Sequence, residues 1–508
     1  MSPTHIAILG GGLSGLSSAF HLARRFPGVP ISLLEKTQRL GGWVHSERTQ
    51  ICDGAGNTAS IVLEAGPRTL RPHGKSTLEL INLLKLEHLL LTVPHTSLAA
   101  RNRFLHIPGI HGLTMIPSSL PAILSSPLSR ILVPAVISAS LRTTPQLQAH
   151  EDLSVDQFLT IHFGVDFART FGSALVHGIY AADSRQLSVR AAFPSLWDAA
   201  IDGKGSVVRG FIRKALRTKD AVDDELYQLD DVSSLMRNVS VYSFKEGMET
   251  ITRAISRNLD SRSHIEIITG DAIRTIERSS TDAMFKLVTD SGRCLKASHV
   301  VSALPMSTLA KLAPSTSTPT LSPITKISRR PVSTVTVVNI VFPPTTFPIH
   351  PPGFGYLVPR PRDDASKEEI DDHAGVLGVV FDSCALPEQD LYPSPDSPRF
   401  TKVTMMLGGP HVFSHTAESV KPDRLLRILT RHLAPSHPLP DPVLIRAHHL
   451  TGCIPTPAVG HLQRVQELKA FLQESEMWQG RLEVVGAGVG GVSVPDCIEQ
   501  GRHVGSSW

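Results

Sequence analysis

A glycine turn near the start of the chain has the residue types and the spacing that bind a pyrophosphate. Gly10, Gly12 and Gly15 occupy the three glycine positions of a G-x-G-x-x-G turn. The first makes the tight turn, the second lets the backbone approach the phosphates, and the third allows close packing of the helix that follows. The N-terminus of that helix attracts an anion through its free N–H groups and its dipole. The turn therefore predicts a dinucleotide site made of Gly10, Gly11, Gly12, Leu13, Ser14 and Gly15.

The elements around the turn have the order that such a site needs. His5–Leu9 is an apolar run typical of a strand, and apolar residues at helical spacing follow the turn until Pro27. Ile31–Leu34 is a second apolar run and ends in Glu35, 20 residues after Gly15. A carboxylate at this distance can accept the two ribose hydroxyls of an adenosine. Because strand, turn, helix and acid agree, dinucleotide binding is favoured over a glycine turn without a ligand.

Composition limits the protein class. At 508 residues the chain is too long for one hydrophobic core, so two or three domains are expected. A formal charge of +4 is too small and too dispersed to favour nucleic acid. The five cysteines are scattered without a C-x-x-C pair, so neither a disulfide framework nor a metal site is predicted. The first predicted strand begins at residue 5, which leaves no room for a cleavable presequence, so organelle delivery would use internal information.

Two further segments favour a flavin over a nicotinamide cofactor. Arg39–Trp43 (RLGGW) places glycines just past the acidic strand end, where they allow a second close approach of the backbone. Glu64–Pro72 (EAGPRTLRP) follows a predicted strand, and its Gly-Pro-Arg suits contact with a flavin ring or a phosphate. Arg68 and Arg71 add positive charge there, and an ordinary solvated loop is the alternative interpretation. These patterns resemble the flavin amine-oxidase superfamily, so FAD is favoured over NAD.

A long uncharged run suggests contact with lipid. Residues 104–129 contain no Asp, Glu, Lys or Arg. Pro108, Pro117, Pro121 and Pro127 interrupt the run, whereas a membrane-spanning helix needs about 20 continuous apolar residues. A monotopic surface that dips into lipid and an apolar lining of a substrate channel both stay open.

The second half of the chain predicts a separate sheet and a return to the first domain. Val332–Phe342 is rich in β-branched residues, and Lys402–Leu407 is a second apolar run, so we expect neighbouring strands. Arg481–Val485 is a strand that leads through a glycine-rich turn, residues 486–491, into a last helix. That helix begins near Val494 and is predicted to present its positive end to the flavin.

The chain as a whole resembles the protoporphyrinogen oxidase family of the flavin amine-oxidase superfamily. Two departures from the family pattern are Ile-Pro-Thr-Pro at residues 454–457 and Pro495, where Asn is common. The resemblance rests on Arg39–Trp43, Glu64–Pro72, Asn102–Leu105, Ser184–Arg190, Phe193–Leu196, Gly353–Pro359, Ile454–His461 and Gly491–Gly501.

The resemblance implies an α/β fold, α+β overall. It contains a Rossmann-like FAD-binding domain of the p-hydroxybenzoate-hydroxylase type, a mixed-sheet substrate domain and a helical membrane-binding domain. The FAD-binding domain is expected to be discontinuous, in residues 1–95, 233–306 and 448–508. The helical insertion is predicted at 96–232 and the substrate-binding domain at 307–447.

The activity implied by the resemblance is oxidation of protoporphyrinogen IX to protoporphyrin IX in haem biosynthesis. Six electrons leave through FAD, with molecular oxygen as acceptor and hydrogen peroxide as product. The resemblance also implies peripheral, monotopic association with the mitochondrial inner membrane on the intermembrane-space side, and it is compatible with a homodimer and with a ferrochelatase contact. No nucleic acid partner is expected.

Site residues are carried over from the matching positions of the family. Arg103 is expected to bind a substrate propionate, and the backbone carbonyl of Gly178 to face the pyrrole nitrogens. Ile340 and Met406 are expected to clamp the macrocycle, although plain core positions explain both equally well. No catalytic acid or base is assigned, because the histidines are scattered. Besides the glycine turn, the predicted cofactor contacts are Glu35, Lys36, Arg39, Gly41, Gly42, Trp43, Gly66, Pro67, Arg68, Thr69, Ala272, Gly488, Val492, Ser493 and Val494.

Two other functions fit parts of the pattern. Another amine-oxidase-like flavoprotein, such as an amine oxidase or a carotenoid desaturase, would often need an aromatic cage, which 5% aromatic residues disfavour. A non-enzymatic, FAD-stabilised protein of the membrane surface would keep the glycine turn but would need no cation for the substrate.

Overall fold

The computed structural model describes residues 2–141, 151–216, 226–279, 284–312, 322–364, 375–410 and 420–508. Its strands, in chain order, are β1 (Ile6–Leu9), β2 (Ile31–Glu35), β3 (Ser46–Cys52), β4 (Thr58–Glu64), β5 (Leu90–Pro94), β6 (Phe104–Leu105), β7 (Thr114–Met115), β8 (Val239–Phe244), β9 (Ile265–Thr269), β10 (Ile273–Arg278), β11 (Phe285–Thr289), β12 (Cys294–Ala297), β13 (His299–Ser302), β14 (Val332–Phe342), β15 (Gly355–Leu357), β16 (Val376–Val380), β17 (Thr401–Gly408), β18 (Leu444–Pro455) and β19 (Leu482–Val484).

Helices connect and cover these strands. Among the described residues they include a π-helical turn, Ala168–Gly172, and the 3₁₀ turns Glu87–Leu89 and Pro387–Gln389. The α-helices are α1 (Leu13–Arg25), α2 (Lys75–Leu83), α3 (Leu98–Arg101), α4 (Leu120–Ser125), α5 (Ser129–Leu141), α6 (Val155–Phe163), α7 (Val165–Phe167), α8 (Ser173–Tyr180), α9 (Val189–Ala192), α10 (Pro194–Asp202), α11 (Val207–Leu216), α12 (Asp230–Leu235), α13 (Glu249–Asp260), α14 (Met306–Leu312), α15 (Pro323–Ser328), α16 (Asp382–Ala385), α17 (Pro422–Leu433), α18 (His461–Glu474) and α19 (Val494–His503).

A five-stranded parallel sheet carries the glycine turn. Its strand order is β19-β13-β1-β2-β9, so it combines strands from the start, the middle and the end of the chain. β1 and β13 are buried along their whole length, as expected for central strands covered on both faces. The predicted succession of strand, glycine turn, helix and strand is confirmed, because β1, α1 and β2 follow one another with the turn between the first two.

A seven-stranded mixed sheet has the order β18-β14-β17-β16-β15-β6-β7. The predicted pairing of the two apolar runs is confirmed, because β14 and β17 are antiparallel neighbours from Val335–Gly408 to Phe342–Thr401. One face, which we call the back face, packs against α17 through Leu425 and Leu429. The other, which we call the front face, receives the end of α8.

This sheet contains strands from both sides of two predicted domain boundaries. β6 and β7 come from the segment that was expected to be helical, yet β6 pairs with β15 and β7 pairs with β6. β18 runs across the boundary predicted between residues 447 and 448. Sheet pairing joins residues distant in the chain, so composition along the chain could not place these limits. The division into domains itself stays a prediction.

The uncharged run is divided among several elements. Phe104 and Leu105 are buried in the seven-stranded sheet, so the start of the run belongs to a protein core. The rest forms β7, α4 and the start of α5, with proline in the first turn of α4. Within the described ranges, no helix combines the length and the apolarity that crossing a membrane requires.

Candidate functional site

The glycine turn is closed so tightly that two of its glycines are needed for the fold itself. Gly10 has φ +100°, a region that favours glycine. A Cβ on Gly15 would lie 1.9 Å from the carbonyl oxygen of Gly10, far inside van der Waals contact. Gly10 and Gly15 therefore bring β1 and α1 together whether or not a ligand is bound.

Gly12 differs from its neighbours because the protein does not require glycine there. Its φ of −70° and ψ of 177° suit any residue, and an added Cβ would meet only Gly42 Cα, at 3.9 Å. Gly12 is the N-cap of α1, and among the described residues no side chain caps this helix and no acid lies in its first turn. This open, positive helix end fits a pyrophosphate that approaches the backbone closely.

A second glycine pair lies against the turn, as the sequence predicted. The Gly41 N–H donates to Gly11 O at 2.9 Å, and a Cβ on Gly42 would be 3.1 Å from Gly12 Cα. Arg39 donates to the carbonyls of Leu40, Gly42 and Val44, so its guanidinium shapes this loop. Trp43 is 47% exposed beside it and can cover a ligand in the turn.

Glu35 lies at the end of β2 beside the turn, and part of its acceptor capacity is used. Oε2 accepts the Gly11 N–H at 2.8 Å and Oε1 accepts the Thr37 N–H at 2.9 Å, while the Thr37 hydroxyl lies 2.8 Å from both Oε1 and Arg39 O. A carboxylate has about four lone-pair sites, so about one or two remain. Glu35 can therefore still accept from a ribose hydroxyl, and its contact with the adenosine stays a prediction. Lys36 is exposed next to it.

The predicted contact Ala272 reaches the same edge of the sheet. The Asp271 N–H donates to Glu35 O at 3.2 Å, and Ala272 O accepts from Asp290 at 2.9 Å. The structure therefore brings Ala272 next to Glu35, although they are distant in sequence.

The loop after β4 holds a buried arginine with an unused donor. Gly66 is required there, because a Cβ would lie 2.1 Å from Trp43 O. Arg68 is buried, its Nη1 lies 3.8 Å from a carboxylate oxygen of Asp382, and among the described residues this nitrogen has no hydrogen-bond partner. A buried guanidinium donor without a partner is costly, so it fits an acceptor atom of a bound flavin. Pro67 and Thr69 flank it.

This loop is fastened to the front face by a polar network. Asn339 donates to Glu64 O at 3.3 Å, and the Thr404 hydroxyl lies 2.8 Å from Asn339 Oδ1 and 2.6 Å from Asp382 Oδ2. Burial raises the pKa of Glu64 to about 7, although hydrogen bonds from Met248 and Ser46 act in the opposite direction. Asp382 and Thr404 were missed from sequence, because no local pattern connects them to Arg68.

The last helix, α19, offers less positive potential than the sequence predicted. Ser493 and Asp496 form a capping box, and the Asp496 carboxylate accepts from the Ser493 N–H at 3.1 Å. This negative group offsets the helix dipole. The Val494 N–H nevertheless has no partner among the described residues, which fits the predicted backbone contact. Val492 packs against the helical segment, and Gly488 packs against Met306.

Two of the predicted substrate residues, Met406 and Gly178, meet at the front face. Met406 pairs with Gly378, which pairs with Leu357, so these positions form one row across three strands. A Cβ on Gly178 would be 2.8 Å from Leu357, so α8 approaches the row closely. Gly178 lies in the last turn of α8, where a helix leaves carbonyl groups free for other acceptor roles.

Ile340 and Met406, which were predicted to clamp the macrocycle together, lie on opposite faces of this sheet. Met406 is opposite Val337 on β14, and Ile340 lies three residues further along the same strand. Because strand side chains alternate, an odd separation places Ile340 on the back face, where it is fully buried with Leu425 and Leu429. The half-buried Leu357 is the front-face residue that sequence analysis missed, and only the register of β15 and β16 reveals it.

Arg103 lies just before β6, on a fixed backbone. Its carbonyl accepts from Ile116 at 2.9 Å, and its guanidinium lies over the Phe354 ring, 5.7 Å from the centroid. Burial, and after it the charge of Arg71, lowers the pKa of this guanidinium. No carboxylate of the described ranges forms an ion pair with Arg103, so a half-buried cation is available for an anion.

Comparisons with known proteins agree with this architecture. The family "Flavin containing amine oxidoreductase" matches residues 13–504. A protoporphyrinogen oxidase of Macaca fascicularis is 33% identical over 516 residues, covering 99% of this chain and 98% of that protein. A protoporphyrinogen oxidase of Schizosaccharomyces pombe is 32% identical over 524 residues, covering 98% and 97%. A crystal structure of a protein from Exiguobacterium sp. 255-15 has the same fold, with a TM-score of 0.75 at 20% identity, covering 100% and 99%.

Proposed function

The chain belongs to the flavin-containing amine oxidoreductases and, among them, to the protoporphyrinogen oxidases, and from this we propose that it oxidises protoporphyrinogen IX to protoporphyrin IX. The observation that carries the proposal is 33% identity to a protoporphyrinogen oxidase over 99% of the chain. It is an FAD-dependent oxidoreductase of haem biosynthesis. The predicted fold class and cofactor are thereby confirmed.

The residues present fit FAD. Gly12 leaves room for a pyrophosphate, Glu35 retains capacity for a ribose hydroxyl, and Arg68 has a buried donor for the flavin. When bound, FAD accepts the electrons that the macrocycle loses. The chain's own contribution is to hold both partners and to exclude water, since the conjugation gained by the product supplies driving force.

The front face supports a flat, largely apolar substrate. Met406 and Leu357 offer apolar contact, the Gly178 carbonyl can accept from a pyrrole N–H, and Arg103 can bind a propionate. The polar network from Asn339 to Asp382 joins this face to the loop of Arg68, so substrate and flavin sites are neighbours. These roles are part of the proposal.

The proposal extends to the acceptor, the location and the partners. Molecular oxygen would take the electrons and leave as hydrogen peroxide. We propose a location on the mitochondrial inner membrane, facing the intermembrane space, which is compatible with a homodimer and with a ferrochelatase contact. Support for a monotopic attachment comes from exposed apolar side chains of the helical segment: Leu124, Val136, Ile137, Val165, Phe211, Ile212 and Leu216.

Anaerobic reduction of the purified protein tests the reaction. Protoporphyrinogen IX should bleach the flavin absorbance, whereas an amine should leave it unchanged. After air is admitted, protoporphyrin fluorescence and hydrogen peroxide should appear together, three peroxides for each porphyrin. Bleaching by the amine alone would replace the proposal with an amine oxidase, and yellow protein that neither compound bleaches would favour a non-enzymatic role.

A further inference from the structure

A second cation, Arg71, lies in the loop that joins the flavin side to α2. Its backbone is fixed on both sides, because Leu70 exchanges two hydrogen bonds of 2.8 Å with Tyr242, and Gly74 packs closely against Pro495. The Arg71 side chain is exposed. No carboxylate in the described part of the chain pairs with it, and its polar atoms make no side-chain hydrogen bond there.

The two arginines of this loop have different roles. Arg68 is buried and its guanidinium lies 3.8 Å from Asp382, so it is turned away from solvent. Arg71 is exposed, and no acid of the described ranges forms an ion pair with it. The structure therefore separates a cofactor-side arginine from an arginine that is available to an anionic ligand.

Arg71 and Arg103 belong to one electropositive region. Leu70, next to Arg71, is hydrogen-bonded to Tyr242. Val241, next to Tyr242, packs in the same apolar cluster as Phe354, whose ring lies under the guanidinium of Arg103. The charge of Arg71 is close enough to lower the pKa of Arg103. Both guanidinium groups stay charged in proteins, so they repel each other unless anions lie between or beside them.

The proposed substrate has two matching anions. Protoporphyrinogen IX carries its two propionates on neighbouring pyrroles, whereas its other substituents are methyl and vinyl groups. Resting on the proposed function, we infer that Arg71 and Arg103 bind these two propionates, one each, at the open edge of the front face. The vinyl edge then points toward Met406 and Leu357. The pair makes the site specific for a porphyrinogen whose carboxylates lie along one edge.

Binding of the fluorescent product gives a test that does not need turnover. Protoporphyrin IX, its monomethyl ester and its dimethyl ester are titrated against wild type, Arg71→Ala, Arg103→Ala and the double variant. Arg101→Ala serves as a matched control, because Arg101 is an exposed arginine of the same segment. Each single variant should weaken diacid binding about tenfold or more, while the dimethyl ester should bind all five proteins alike.

Two results would overturn the inference. One is diacid binding by Arg71→Ala equal to that of Arg101→Ala, and the other is an equal loss for the dimethyl ester. Flavin content is measured in every variant, and loss of FAD from Arg71→Ala would also count against it. Turnover by the wild type distinguishes failure of this inference from failure of the proposed function. If the wild type oxidises protoporphyrinogen IX but Arg71→Ala binds the diacid as the control does, only the inference fails. If the wild type oxidises no porphyrinogen, both fail.

Discussion

The glycine turn and the front face are built in opposite ways. At the turn, backbone N–H groups and open space come from one continuous segment, Gly10–Gly15, with Glu35 beside it. At the front face, side chains come from strands far apart in the chain and meet through register. A backbone site is sensitive to one added Cβ, whereas a site of side chains is sensitive to which face a residue occupies.

Substitution of the turn glycines should give the largest effect. Gly12→Val should abolish FAD binding but leave the apoprotein folded, because the protein itself leaves space at Gly12. Gly15→Ala should prevent folding, since its Cβ would meet Gly10 O at 1.9 Å. Flavin absorbance and circular dichroism distinguish the two. If Gly12→Val keeps its full flavin content, the pyrophosphate does not bind at this turn.

Ile340→Ala and Leu357→Ala together test the assignment of these residues to the back face and the front face of the sheet. Ile340→Ala should cost about 2–5 kcal/mol of unfolding free energy and leave KM unchanged, because it opens a cavity in the back-face core. Leu357→Ala should raise KM with a smaller loss of stability, because this side chain is half-buried on the front face. Denaturant unfolding and steady-state kinetics measure both. The reverse pattern would show that the face assignment is wrong.

Arg103→Ala should mainly raise KM for protoporphyrinogen IX. The propionate is remote from the carbon that is oxidised, so the contact should help the ground state and the transition state equally. The loss of a charge-assisted hydrogen bond predicts about 10- to 100-fold in kcat/KM. Arg103→Lys should recover part of it, because lysine keeps the charge but not the fork. A fall in kcat at unchanged KM would instead place Arg103 near the reacting atoms.

Glu64 should make the stability of the protein depend on pH. The unfolded carboxyl titrates near its ordinary pKa of 4.5, whereas burial raises the folded pKa to about 7. Between these values the folded form retains its proton and the unfolded form loses it, so unfolding free energy should fall as pH rises, by at most about 1.4 kcal/mol per pH unit. Glu64→Gln should remove this slope in thermal unfolding followed by tryptophan fluorescence. An unchanged slope would mean that Glu64 is ionised in the folded protein.

Sequence alone determined the cofactor edge because its contacts are local. The spacing of Gly10, Gly12 and Gly15 and the distance to Glu35 are fixed by the geometry of one strand, one turn and one helix. Those elements occur in the structure as predicted, and the second glycine approach at Gly41 and Gly42 lies against them. The capacity left on Glu35 could not be foreseen, because it depends on how Thr37 folds back.

Tertiary structure alone decided the substrate side. The sequence identified β14 and β17 as strands, but a shift of one residue exchanges the two faces, so Ile340 and Met406 could not be assigned to a face from their positions. Likewise Arg68 and Arg71 look equivalent in one loop, and only the packing of Asp382 from another part of the chain buries the first and leaves the second exposed. Local spacing fixes which groups a short turn presents, whereas long-range pairing fixes which side chains share a surface.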